Sequence, residues 1–353
     1  MRRVIGALSV SLLTLLLAAG STLACGGLIG PNGAVNLLRT TTFAGYADGV
    51  EHYVTAFEFA GGGGAFGSIT PLPGIPSNVE KGGDWTLQRL ILETDPPPAS
   101  FLFAVGAAAE RDTAEEIAKY RIDALDLTVL RGGAAAIGQW AKDHGFRLPP
   151  DAPEVLEFYA ARSEIFVAAA FDADAAASRG QTVGDGTSVH ITIPTDDPWV
   201  PLRILALGKT GAERVEADVY LLTEARPNLL PVPTGRNGIT LDHSAAASDR
   251  LIADLRSDRG MEWVPDEAWL TKVRVDASAG QLSYDLAVDP TGTHAPSRVD
   301  AGLDPFGPNA LEIVDAVRSG GVGLLLTLVA LTFLAGTGLH VSGGRGAQRP
   351  MAR

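Results

Sequence analysis

Val215-Glu-Ala-Asp-Val-Tyr-Leu-Leu222 (VEADVYLL) places Val215, Ala217, Val219 and Leu221 at alternate positions, with Glu216 and Asp218 between them. A side-chain period of two over eight residues is the pattern of a strand with one face on a core and the other in water. The acids at 216 and 218 are therefore expected to face solvent. Ser188 to Ile193 repeats the pattern, with Val189, Ile191 and Ile193 against Ser188, His190 and Thr192. Leu202 to Leu207 reads as a hairpin partner of the 215–222 strand through Gly208-Lys209-Thr210-Gly211. Strands at Lys272 to Val275 and Gln281 to Val288 complete a strand-dominated second half.

Strands also open the chain. Val35 to Phe43 and Glu51 to Phe59 are rich in β-branched and aromatic residues, and Asp48-Gly49 between them signals a turn. Ile165 to Phe171 (IFVAAAF) reads as a fully buried strand, and Leu125 to Leu130 as a shorter one. Trp85 to Glu93 fits a strand or a short helix and stops at Asp95-Pro96-Pro97-Pro98. Helices are expected at Gly133 to His144, ending at Gly145, and from Asp151 as N-cap, with Pro153 in the first turn and Val155, Leu156 and Tyr159 on its buried stripe. A third, at Ala245 to Leu255, carries Leu251, Ile252 and Leu255. Residues 101 to 122 fit a helix with Thr113 and Glu116 as a capping box. The fold class is α+β, a largely antiparallel sheet ectodomain with a few short helices and one C-terminal transmembrane helix.

That last helix is Val322 to Val341 (VGLLLTLVALTFLAGTGLHV), which contains no Asp, Glu, Lys or Arg. About 20 apolar residues suffice to cross a hydrocarbon core of roughly 30 Å. The tail beyond carries Arg345, Arg349 and Arg353 and no acid, which orients the C-terminus towards the cytoplasm. Arg2 and Arg3, the apolar run Val4 to Ala19 and Thr22-Leu23-Ala24 have the layout of a secretory signal peptide. The expected organisation is a signal peptide over 1–24, an extracytoplasmic domain over 25–288, a Pro/Gly-rich stalk and juxtamembrane segment over 289–318, a membrane helix over 319–342 and a basic tail over 343–353. The expected location is the bacterial cell membrane, single-pass, with the domain outside.

The chain carries 41 acidic and 28 basic residues. The two terminal segments hold five of the arginines and none of the acids, which leaves about −18 on the outer region. Such a surface repels nucleic acid and anionic lipid headgroups; it leaves basic partners or divalent cations open, but the simpler reading is that the charge keeps an Ala/Gly-rich surface soluble. Cys25 is the single cysteine, so no intrachain disulfide forms. It stands where a lipoprotein signal places its acylated cysteine, although Thr22 and Leu23 match that signal poorly, so Cys25 is either a candidate lipidation residue or a free thiol near the mature N-terminus or one used between chains.

Taken in order, the CGG of residues 25 to 27, F-x-x-x-x-P-x-P from Phe66 to Pro73, W-x-x-x-x-G-F-x-L-P from Trp140 to Pro149, the Tyr159 to Phe166 segment and Pro201-Leu202-Arg203 resemble a bacterial secreted family, domain of unknown function 2330. The resemblance spans roughly residues 25 to 290. It implies a fold family and an envelope location, and it supplies no chemistry. Members of that family often carry Trp at the position of Ser68 and a second Cys soon after the first, and both are missing here.

Catalytic patterns are scarce. Gly62 to Gly67 fits G-x-G-x-x-G, but Pro71, Pro73 and Pro76 forbid the helix that a dinucleotide site needs after it. G-x-S-x-G is absent, with Asp276 in place of the first glycine of the nearest string. His52, His144, His190, His243 and His294 are isolated, without the paired spacing of a zinc site. Asp172, Asp174, Asp196, Asp197 and Asp185-Gly186 are acids at strand ends and loops, usable for calcium only if the fold gathers them. No cofactor is expected, and neither a metal site nor a catalytic residue can be assigned. The leading expectation is a binding or structural module whose envelope partner is unknown; the alternative is an extracytoplasmic hydrolase with a site assembled from dispersed Asp, His and Ser.

Overall fold

The computed structural model describes residues 27–30, 33–34, 40–57, 66–95, 118–172, 178 and 187–303. The expected signal peptide, Cys25, residues 101–117, residues 304–318 of the expected stalk and the apolar run at 322–341 lie outside the described residues. Among the described residues no helix is long and apolar enough to cross a membrane. The chain divides into a unit of residues Met1–Pro305 and a second of Phe306–Arg353.

Strands are numbered in chain order. A seven-stranded sheet runs β14 (Ile239–Ala246), β15 (Trp269–Ser278), β12 (Arg214–Thr223), β3 (Thr40–Ala47), β4 (Val50–Phe57), β10 (Thr187–Pro194) and β6 (Asn78–Lys81). A six-stranded sheet runs β2 (Gly33–Ala34), β1 (Gly27–Gly30), β5 (Gly67–Pro71), β9 (Ile165–Phe171), β8 (Leu125–Arg131) and β7 (Ala118–Ile122). Three short strands, β11 (Trp199–Val200), β16 (Leu286–Asp289) and β13 (Asn228–Leu230), form a third sheet. Every pairing is antiparallel except β12 with β3. The α+β, mostly antiparallel expectation is met.

One continuous core joins the facing sides of the three sheets: Val215, Ala217, Val219 and Leu221 of β12 share it with Val189, Ile191 and Ile193 of β10, Val167 and Ala169 of β9, and Leu286 of β16. The other face of the seven-stranded sheet is covered by α1 (Thr86–Thr94) and α4 (Asp249–Arg256), through Leu87, Leu90, Leu251, Ile252 and Leu255 packed on Phe43, Val54, Tyr220 and Leu222. β12 is thus central and covered on both sides. Asp218, expected in water, is 4% exposed beneath α1 and α4, 3.6 Å from the buried ammonium of Lys272. A two-residue period identifies the strand but cannot show that helices cover its second face. Lys272 also bonds Asp95, the C-cap residue of α1, and so holds that helix end to the sheet.

The β3–β4 hairpin turns at Asp48-Gly49, both at positive φ (52° and 76°), as a two-residue turn of the primed type requires. α2 (Ala134–Asp143) ends before Gly145 at φ 75°, and α3 (Ala152–Ala160) buries Val155, Leu156 and Tyr159, as read from the sequence. Asp151 precedes α3 without capping it; its carboxylate accepts the Gly208 N–H at 2.9 Å instead.

Four further expectations are corrected. Leu202 to Leu207 is no strand: Arg203–Ala206 forms a 3-10 turn, and β12 pairs with β15 and β3. Residues 118–122, placed in a helix, form β7. Ala245 and Ala246 belong to β14, so α4 starts at Asp249 with Ser248 as its cap, the Ser248 hydroxyl accepting the Leu251 N–H. Residues 289–303, assigned to the stalk, pack onto the folded unit. There, Asp289 accepts bonds from Thr291 and His294, the Ala301 carbonyl accepts the Asp285 N–H, and the Ala301 side chain is fully buried.

Candidate functional site

Interior charge comes first, because a buried titratable group is either a structural tie or a working one. Asp285, fully buried, accepts the Tyr159 hydroxyl at 2.9 Å, the Leu202 and Arg203 amides at 2.7 and 2.9 Å, and the Arg162 guanidinium at 2.5 Å. Arg162 lies over the rings of Phe158, Tyr159 and Trp199, and the Tyr159 oxygen accepts the Ile204 N–H. Burial pushes the Asp285 carboxyl up, while Arg162 and the two amides pull it down. Both carboxylate oxygens have donors, three on Oδ1 and the Arg162 guanidinium on Oδ2, so this is a tie. Asp258 is another: it accepts the Asp84 and Trp85 amides and the Thr86 hydroxyl, which closes the N-terminus of α1 from 172 residues away.

The histidines do not all stay apart. β4 and β10 pair so that His52 and His190 lie on the same face two positions out of register, and His52 Nδ1 meets His190 Nε2 at 3.0 Å. His52 stacks on Trp263 at 3.8 Å, and Glu80 lies 3.4 Å from His190 Nδ1, too far for a well-aligned hydrogen bond. Burial and then the His190 charge depress His52 to about 3. His190 is lowered by burial, with Glu80 opposing. The pair is held neutral. His144 donates to the Trp140 carbonyl within its own helix, and His243 sits on the edge strand β14.

One concavity among the described residues is polar. A cavity of about 210 Å³ lies between the β10–β11 loop and the chain after β16, lined by Asp196, Asp197, Asp289, His294, Ser297 and Asp300, with Pro198, Ala287, Val288, Pro290, Ala295 and Pro296. Four acidic residues line it and no Lys or Arg does. Partial burial, then Asp300 and Asp196, raise the Asp197 carboxyl. Asp289 is lowered: burial works against it, but the His294 amide and the hydroxyl and amide of Thr291 outweigh that cost. Of the loop acids singled out in the sequence, Asp196 and Asp197 reach this cleft. Asp172 pairs with Arg121 at 2.7 Å, and Asp174 and Asp185-Gly186 lie outside the described residues. Among the described residues no three His, Cys, Asp or Glu side chains are grouped to hold a metal ion. Sequence reading missed Asp289 and Asp300, because they fall in a Pro/Gly-rich stretch that looks like linker.

A family model described as an uncharacterised protein conserved in bacteria, DUF2330, matches residues 21–288. The chain belongs to this family. Among the described residues, those that carry the DUF2330 resemblance serve in packing and internal hydrogen bonds. Phe66 stacks on Phe171, the Gly67 backbone lies against Phe146 and Trp140, and Tyr159, Leu202 and Arg203 converge on Asp285. No curated protein matches the chain. Among solved structures, baculovirus p35 aligns with a TM-score of 0.38 at 10% identity, covering 72% of this chain and 96% of that one. A caspase-8/p35 complex aligns at 0.37 and 10% identity, over 71% and 96%. Likeness at that level carries no argument about fold or function.

Proposed function

We propose that this DUF2330 protein is a single-pass cell-envelope protein with its folded unit outside and its C-terminus in the cytoplasm, and that the folded unit is a binding module whose acidic cleft recognises a cationic group. Lys and Arg side chains of an envelope protein or peptide have the required chemistry. The observation that carries the reading is the cleft itself, four acidic residues around about 210 Å³ with His294 but no Lys or Arg in the lining. The Asp285 and Asp258 clusters close on their own donors, whereas Asp196, Asp197 and Asp300 border the cleft beside Asp289, whose carboxylate is bonded to Thr291 and the His294 amide. Signal-like N-terminus, apolar run and basic tail supply the envelope location.

Titration of the full-length protein with a fluorescent Lys/Arg-rich peptide tests this. Binding is expected to weaken with added salt and to fall on the order of tenfold in Asp197→Asn/Asp300→Asn, the loss of two nearby charges. Equal affinity of the double variant and the wild type removes the reading. A second reading, an extracytoplasmic hydrolase, is favoured by one observation: Asp197 and Asp289 are displaced in opposite directions, the arrangement that separates an acid from a base. In that case Asp197→Asn abolishes turnover of an ester, peptide or glycan substrate.

A further inference from the structure

Behind the cleft lies a carboxyl that the binding reading does not use. Glu51 of β4 is 1% exposed, and neither of its oxygens has a hydrogen-bond partner among the described residues. It faces a cavity of about 10 Å³ at the junction of the seven-stranded and three-stranded sheets, walled by Tyr46, Trp199, Leu221, Thr223, Pro198 and Val288. That space holds at most a single water. Pro198 and Val288 also line the acidic cleft, so the same two residues border both spaces. An ionised carboxylate with neither donors nor a counter-charge is costly in such a place, and a protonated one is not.

We infer that Glu51 carries a proton when the cleft is empty and gives it up when a cation occupies the cleft, so that ligand binding and proton release are coupled across Pro198 and Val288. The inference rests on the cationic-ligand reading above. The titratable groups around Glu51 do not offer it an alternative counter-charge. Tyr46 on β3 has its hydroxyl turned to the Thr195 carbonyl, and Asp196 and Asp197 on the β10–β11 loop and Asp289 at the end of β16 are themselves acidic. His294 lines the cleft and does not line the cavity that Glu51 faces. Burial drives the Glu51 carboxyl up to about 8, and the Trp199 amide acts in the opposite sense without completing a hydrogen bond to either oxygen. A positive charge beyond Pro198 favours the carboxylate, so affinity for the cation rises as the pH passes through the Glu51 range.

The test is calorimetry of the full-length protein with the Lys/Arg-rich peptide at pH 7 and pH 9, in buffers of differing ionisation enthalpy. Wild type is expected to release protons on binding at pH 7 to 8, and to bind on the order of tenfold tighter at pH 9. Glu51→Gln is expected to bind with neither proton release nor pH dependence in that range. Proton release unchanged in Glu51→Gln overturns the coupling and leaves the cleft reading standing, whereas failure of wild type to bind removes both. Should Glu51→Gln not fold, infrared difference spectroscopy of wild type reads the same event. The C=O band of a protonated buried carboxyl is expected at pH 7 and is lost when peptide is added; a band unaffected by peptide contradicts the inference.

Discussion

Asp285→Ala destabilises the folded unit by about 3–5 kcal/mol, the cost of stranding one partner of a buried ion pair. The Arg162 and Asp285 side chains are 5% and 0% exposed, so water cannot replace the lost carboxylate. Four donors lose their acceptor together: the Arg162 guanidinium, the Tyr159 hydroxyl and the amides of Leu202 and Arg203. Urea denaturation of the purified protein measures the loss as a lower midpoint. Arg162→Met/Asp285→Leu removes both charges, and it is expected to lose less than the sum of the two single changes, because neither partner is left charged and alone. Strict additivity contradicts the view that Asp285 acts through Arg162.

Acid weakens the same unit through His52 and His190. The folded-state value of His52 is depressed to about 3 from an ordinary 6.5, so the unfolded chain takes up a proton first as the pH falls. The stability this group contributes is present above pH 6.5 and is lost as the pH falls from there towards 3. His190, also lowered, adds in the same direction. Between pH 7.5 and 4.5 the loss from His52 amounts to about 2 kcal/mol after allowance for solvent screening. His52→Phe keeps a ring against Trp263 and cannot titrate. Its denaturation midpoint is expected to fall less steeply across that interval than that of wild type. Identical pH profiles show that the histidine pair is not a source of acid sensitivity.

What was legible in the sequence is what local periodicity determines. β9 and β10, the stripe of α4 and the stop of α2 at Gly145 depend on neighbours within one or two turns, and they appear where the pattern places them. Leu202 to Leu207 misleads because a short apolar run fits a strand as well as a 3-10 turn. What decides it is Asp285, which takes the amides at the start of the turn from 82 and 83 residues away. Asp218 misleads because the helices over β12, at Thr86–Thr94 and Asp249–Arg256, lie outside the strand's own local pattern. Composition presents residues 289–303 as linker, yet the Asp289 carboxylate and the bonds between Arg298 and Leu303 and between Val299 and Gly302 give the segment a fixed course. The cleft follows from that course. Its two halves, Asp196-Asp197 and Asp289 to Asp300, are some 90 residues apart, and only the pairing of β11 with β16 brings them together.

Hydrogen exchange of the full-length protein with and without the Lys/Arg-rich peptide tests most directly whether this cleft is the recognition surface. Protection confined to the 195–200 loop and to residues 286–303 is the result predicted. Protection elsewhere, with these two segments unchanged while the peptide is bound, contradicts it.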